Sequence, residues 1–129
     1  MNELHKRITD LVAPYENLAL ECDGMTRVIH HLLKEVGIEH TVKVGPVRYK
    51  DVVVPLHYWI ELADRGPATT VVDYRLQMWT DDEAPHGVFT FREASEKEAR
   101  YWNSTSKSIE LETPPAVLAV LMSHTKETK

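Results

Sequence analysis

Seven apolar residues, Cys22, Met25, Val28, Ile29, Leu32, Leu33 and Val36, recur at intervals of three and four positions, and Gly37 follows the last of them. This spacing sets all seven on one face of an α-helix, and a glycine just past the end supplies the left-handed residue that stops it. A helix of about 14 residues is therefore predicted, with Cys22 at or near its first turn. One apolar face must be covered, so the rest of the chain has to supply a partner layer.

The flanking patterns say what that layer is. Leu4, Ile8, Leu11 and Val12 read as an amphipathic helix over residues 2–13, ended by Pro14, and a short polar stretch around Tyr15, Glu16 and Asn17 follows. Three runs then carry strand character: His40 to Val44, Val52 to Leu62 and Thr69 to Leu76. Pro55 interrupts the second run and marks a bulge or strand start. Asp64-Arg65-Gly66-Pro67 has turn chemistry, so the second and third runs are expected to pair as an antiparallel hairpin. Beyond Trp79 the pattern reads as a loop over 81–87, a polar helix from Glu93 to Trp102, a short apolar helix from Pro114 to Met122, and a frayed tail from Ser123 to Lys129. The fold class is α+β: a helix packed on a small antiparallel sheet. At 129 residues the chain is one domain, with a core at about 15–80 and a loop and helical extension over 81–129.

Composition removes several function classes. Fifteen Lys and Arg against twenty Asp and Glu leave a net charge of −5, which speaks against general nucleic-acid binding. A single cysteine excludes an internal disulfide framework. No apolar run approaches the roughly 20 residues of a membrane span, and the first residues lack a signal peptide's apolar region, so the cytoplasm is the expected compartment.

Three polar residues stand at special places on these elements. Cys22 opens the apolar helix, His57 lies within the longest strand run, and Asp73 lies within the next. His57 and Asp73 are each eight residues from Arg65, so a turn centred there sets them side by side on neighbouring strands. A thiol nucleophile needs this set. The thiolate attacks, and a helix N-terminus and a nearby imidazolium both favour it. The imidazole takes and returns a proton, and a carboxylate on its far nitrogen fixes the tautomer. The backbone N–H of Cys22, unsatisfied at a helix start, is one oxyanion donor. Asn17 is the first side-chain candidate for the second, with Tyr15 behind it.

Other residues carry plainer expectations. Trp59 shares the His57 face and either walls the cleft or fills the core. Asp23 reads as a first-turn charge, Arg75 as one half of a surface pair, and His86-Gly87-Val88-Phe89 as a plain loop. His30 and His31 are adjacent on the helix and point about 100° apart, so no zinc site and no cofactor is expected.

The run Glu21-Cys22-Asp23-Gly24-Met25-Thr26-Arg27, continuing through His30 to Ile38, resembles the nucleophile helix of transglutaminase-like cysteine enzymes. His57-Tyr58-Trp59-Ile60-Glu61-Leu62 resembles their His-x-Trp strand, and Val71-Val72-Asp73 the strand ending in the orienting aspartate, although Tyr74 stands where that family often has proline. Cys-Asp-Gly is also similar to the Cys-Ser-Gly motif of bacterial cell-wall cysteine endopeptidases, the second resemblance. Both belong to the papain-like group. They imply a papain-like or transglutaminase-like core and a cysteine hydrolase, a peptidase or amidase, with Cys22, His57 and Asp73 as triad. The substrate would be a peptide, amide or protein. The alternatives are an acyl transferase, or a non-catalytic binding or regulatory module on the same fold.

Overall fold

The computed structural model describes residues 3–62, 66–101, 107–109 and 113–123. Helix α1 spans Glu3–Val12, a single 3-10 turn covers Ala13–Tyr15, and α2 spans Cys22–Glu35. The 14 residues of α2 follow the apolar periodicity, with Cys22, Met25, Val28, Ile29, Leu32 and Leu33 buried. Its end is set by Gly37 at φ 74°. The N–H of Gly37 donates to the Lys34 carbonyl, and that of Ile38 to the Leu33 carbonyl. These are the two bonds that close a helix on a left-handed residue.

The covering layer is a sheet in which every pairing is antiparallel. Strand β1 is His40–Tyr49, β2 Val52–Leu62, β3 Thr70–Asp73, β4 Gly87–Thr90, β5 Ala99–Tyr101 and β6 Lys107–Ile109. The order is β4-β3-β2-β1, and β5 and β6 pair with successive parts of the outer side of β1. Helix α3 covers Phe91–Glu96 and α4 covers Pro115–Ser123. The fold is therefore α+β, as the patterns indicate.

Period two divides the core between the two faces of the sheet. Val42, Ile60, Leu62 and Val72 join Ile8, Val12, Met25, Val28, Ile29 and Leu33 of the helices in one cluster. Val47, Trp59, Val71, Leu76, Phe89 and Tyr101 form a second cluster. His57, two residues before Trp59, shares the second face.

A bulge determines where His57 falls. In the β1–β2 ladder Gly45 faces His57, but Val47 faces Val54, so Pro55 and Leu56 together oppose Pro46. Neither proline has an N–H to give the ladder, and the extra residue is accommodated where no bond is lost.

The structure corrects several expectations. The first strand runs to Tyr49, because the two-residue turn Lys50-Asp51, with Lys50 at φ 52°, reverses the chain directly into β2. The β2–β3 pairs are Ile60 with Val72 and Glu61 with Val71, so the hairpin is centred on residue 66, not on Arg65. His86 to Phe89 is not a plain loop: Gly87 starts β4, which pairs with β3. The helix expected from Glu93 to Trp102 is α3 alone. Thr90 caps it by accepting the N–H of Glu93, whose carboxylate accepts the Thr90 N–H in return. It ends before Glu98, at φ 62°, turns the chain into β5. Among the described residues, the segment from 81 onward thus supplies three strands of the sheet. The turn at Asp64-Arg65, Trp102 and the tail beyond Ser123 lie outside the described residues. Among those residues, no helix is long and apolar enough to cross a membrane.

Candidate active site

The site forms where the start of α2 meets the bulged end of β2. Glu21, with extended ψ of −174°, is the N-cap residue and makes no side-chain cap bond. The first intrahelical bond runs from the N–H of Met25 to the Glu21 carbonyl. The N–H of Gly24 is taken by the carboxylate of Asp23 at 2.8 Å. Asp23 is therefore a first-turn acceptor, and the N–H groups of Cys22 and Asp23 precede the first bond of the ladder. Cys22 itself is 8% exposed.

His57 is fully buried and Asp73 is 2% exposed. Nε2 of His57 lies 2.8 Å from Oδ2 of Asp73. That carboxylate accepts from four donors. Its Oδ2 also takes the hydroxyl of Tyr101 at 2.6 Å, and its Oδ1 takes the backbone N–H groups of Arg75 at 3.0 Å and Leu76 at 3.1 Å. A carboxylate has about four lone-pair positions, and each is used here. With Nε2 turned to Asp73, Nδ1 faces the other way, buried and without a regular hydrogen bond among the described residues.

The thiol of Cys22 acts on that imidazole. Burial opposes the positive charge of His57, but Asp73, as counter-charge and hydrogen-bond acceptor, and then Cys22 override it and raise the pKa to about 10. Burial likewise opposes the charge on Asp73, but His57, Tyr101 and the Arg75 N–H hold its carboxyl below the usual range. Burial and the Asp73 charge push the Tyr101 phenol well above its ordinary value, so it stays a proton donor. The three residues singled out in the sequence are thus brought together, with the buried His57–Asp73 ion pair beside the Cys22 thiol.

Arg75 is not half of a surface pair. It is 8% exposed, and its guanidinium donates to four carbonyls. Nε reaches Leu20 at 2.6 Å, Nη1 reaches Tyr74 at 2.7 Å, and Nη2 reaches both Glu16 at 3.0 Å and Leu18 at 2.8 Å. Residues 16–20 are the loop that delivers the chain to Cys22. The residue two places after Asp73 therefore ties that loop to the end of β3.

Trp59 fills the core. It is fully buried, donates Nε1–H to Glu61 at 2.9 Å, and packs between His57 and Tyr101. It offers no surface to a ligand. Tyr15 is half-buried against the helical cluster. Asn17 is exposed on a groove of about 560 Å³ lined by residues 16–21, Tyr74, Arg75, Gln77, Met78 and His86. The groove ends at Glu21, the residue before Cys22 in the chain.

Two contributors escaped the sequence reading. Tyr101 was hidden by the extended helix expected over 93–102, and Thr90-x-x-Glu93, a capping-box signature, was the signal that would have started α3 early. The role of Arg75 had no local signal, because three of its four carbonyl partners lie 55 to 59 residues away. His30 and His40 hydrogen-bond to each other at 2.7 Å, and no group of three or more His, Cys, Asp and Glu suited to a metal ion gathers among the described residues. No family model, curated protein or solved structure matches this chain.

Proposed function

We propose that the protein is a cysteine hydrolase that cleaves an amide or peptide bond through a thioester, with Cys22 as nucleophile, His57 as acid and base, and Asp73 as the orienting carboxylate. The observation that carries this reading is the arrangement of His57: Nε2 is bound to a fully satisfied carboxylate, and the Cys22 thiol is the neighbour that acts on the remainder of the ring. A histidine raised to about 10 is an imidazolium at neutral pH. It stabilises a thiolate beside it and holds a proton for the leaving group.

The steps balance within these groups. The Cys22 sulfur adds to the acyl carbon, and the oxygen takes the negative charge facing the N–H groups at the start of α2. Collapse breaks the C–N bond as the imidazolium gives its proton to the departing nitrogen. Neutral His57 then takes a proton from water as its oxygen adds to the thioester. The C–S bond breaks, releasing the acid and restoring thiolate and imidazolium. An amine in place of that water would make the same site an acyl transferase.

The burial of the trio favours a second reading, in which the three side chains are a structural polar knot in a non-catalytic module. A panel of peptide and amide substrates separates the two. The hydrolase reading expects turnover with a thioester adduct on Cys22 visible by mass spectrometry, and none in Cys22→Ala with an unchanged melting temperature. Absence of both adduct and turnover across the panel supports the module.

A further inference from the structure

The start of α2 and the end of β3 are joined through Arg75. On the sheet side, its backbone N–H donates to Oδ1 of Asp73 at 3.0 Å, and the other oxygen of that carboxylate holds His57. On the helix side, its guanidinium takes the carbonyls of Glu16, Leu18 and Leu20, every second residue of the loop that enters α2. The shortest of these bonds, 2.6 Å from Nε to the Leu20 carbonyl, lies two residues before Cys22. The usual anchor of a helix start is missing here, because Glu21 makes no side-chain cap bond.

Leu20 also meets the helix from the other direction. Its side chain packs against the helical cluster and lies over Gly24, two residues after the thiol. A Cβ on Gly24 would stand 3.3 Å from Cβ of Leu20, closer than a Cβ normally approaches. Leu20 therefore brackets Cys22 in the chain, with its carbonyl held on one side and its side chain pressed to the first turn on the other. We infer that Arg75 is a positioning residue for the nucleophile. Through Leu20 it sets the start of α2, and with it the Cys22 sulfur, against an imidazole oriented by the carboxylate that its own N–H binds. The inference rests on the cysteine-hydrolase reading and adds a residue outside the triad. Attraction between thiolate and imidazolium falls with their separation, and a misplacement of about 1 Å can cost on the order of a hundredfold in rate.

Iodoacetamide alkylation of Cys22 against pH tests this in the native chain, Arg75→Lys and Gly24→Ala, each kept well below its melting temperature. Lysine lacks the planar fork and releases part of the loop. Alanine at 24 leaves Arg75 intact and suits a helix better than glycine, but it pushes Leu20 away from the first turn. In Arg75→Lys the rate at pH 7 should fall about tenfold, and the profile should move to more alkaline pH. In Gly24→Ala the rate should fall at least about threefold with the melting temperature close to native, a combination that lost stability does not produce. Native labelling in either variant overturns the positioning role and leaves the nucleophile in place. Should Arg75→Lys fail to fold, Gly24→Ala decides alone. A native chain that labels no faster than a free thiol overturns the hydrolase reading itself, and the positioning role with it.

Discussion

Asp73 binds Nε2 of His57 at 2.8 Å although the two residues are not opposite each other in the β2–β3 ladder. Continued along its register, that ladder sets Trp59 against Asp73, so His57 reaches the carboxylate diagonally. Diagonal neighbours on one face lie about 7–8 Å apart at the backbone, a gap that an imidazole and a carboxylate can bridge. Asp73→Asn preserves the shape but removes the charge and lets the amide offer an N–H to the ring. Turnover should fall about a thousandfold or more. The His57 pKa, followed by NMR, should drop from about 10 toward its ordinary range.

Tyr101 gives Asp73 its shortest hydrogen bond, at 2.6 Å. Tyr101→Phe removes a donor to a buried charge and costs about 1.5–3 kcal/mol. Chemical denaturation should read that loss. Because His57 and the two backbone N–H groups still hold the carboxylate, turnover should fall by no more than about tenfold.

Arg75 satisfies four carbonyls, three of them in the loop that leads to Cys22. Lysine carries the charge but not the planar fork, and cannot reach all four. Arg75→Lys should destabilise the fold by about 2–4 kcal/mol. Limited proteolysis should then cut first within residues 16–20, a change absent from Tyr101→Phe.

The His57–Asp73 pair also dictates how stability follows pH. His57 is raised in the folded state, so its contribution is fully present below its unfolded pKa of about 6.5 and is lost as pH rises toward about 10. Asp73 is lowered, so its contribution is present above about 3.8 and is lost as pH falls below that value. Melting temperature should therefore be highest between about pH 4 and 6.5 and decline on both sides. In His57→Gln the alkaline decline should flatten.

Much of this arrangement was legible in the sequence, for reasons that differ by element. Helix α2 repeats its apolar signal over four turns, and β2 is an 11-residue run rich in β-branched and aromatic residues, so both emerge with their ends. Pro55 marked the bulge correctly, because a missing N–H has only a few places in a sheet. Strands β4 and β5 have four and three residues, too short to carry a period, and are defined by pairing with β3 and β1. Cys22 and His57 were visible because each sits on a long patterned element, and Asp73 because an aspartate is disfavoured inside a strand run such as Val71-Val72. Tyr101 and Arg75 were not, since their work depends on partners distant in the chain, and an arginine spent on carbonyls looks in sequence like any surface cation.

The most direct test is the rate of iodoacetamide alkylation of Cys22 against pH, in the native chain and in His57→Ala. An imidazolium-paired thiolate predicts labelling near neutral pH well above the rate of a free thiol, falling in His57→Ala by about tenfold or more. A native rate no faster than a free thiol, or one unchanged by His57→Ala, would contradict the nucleophile assignment.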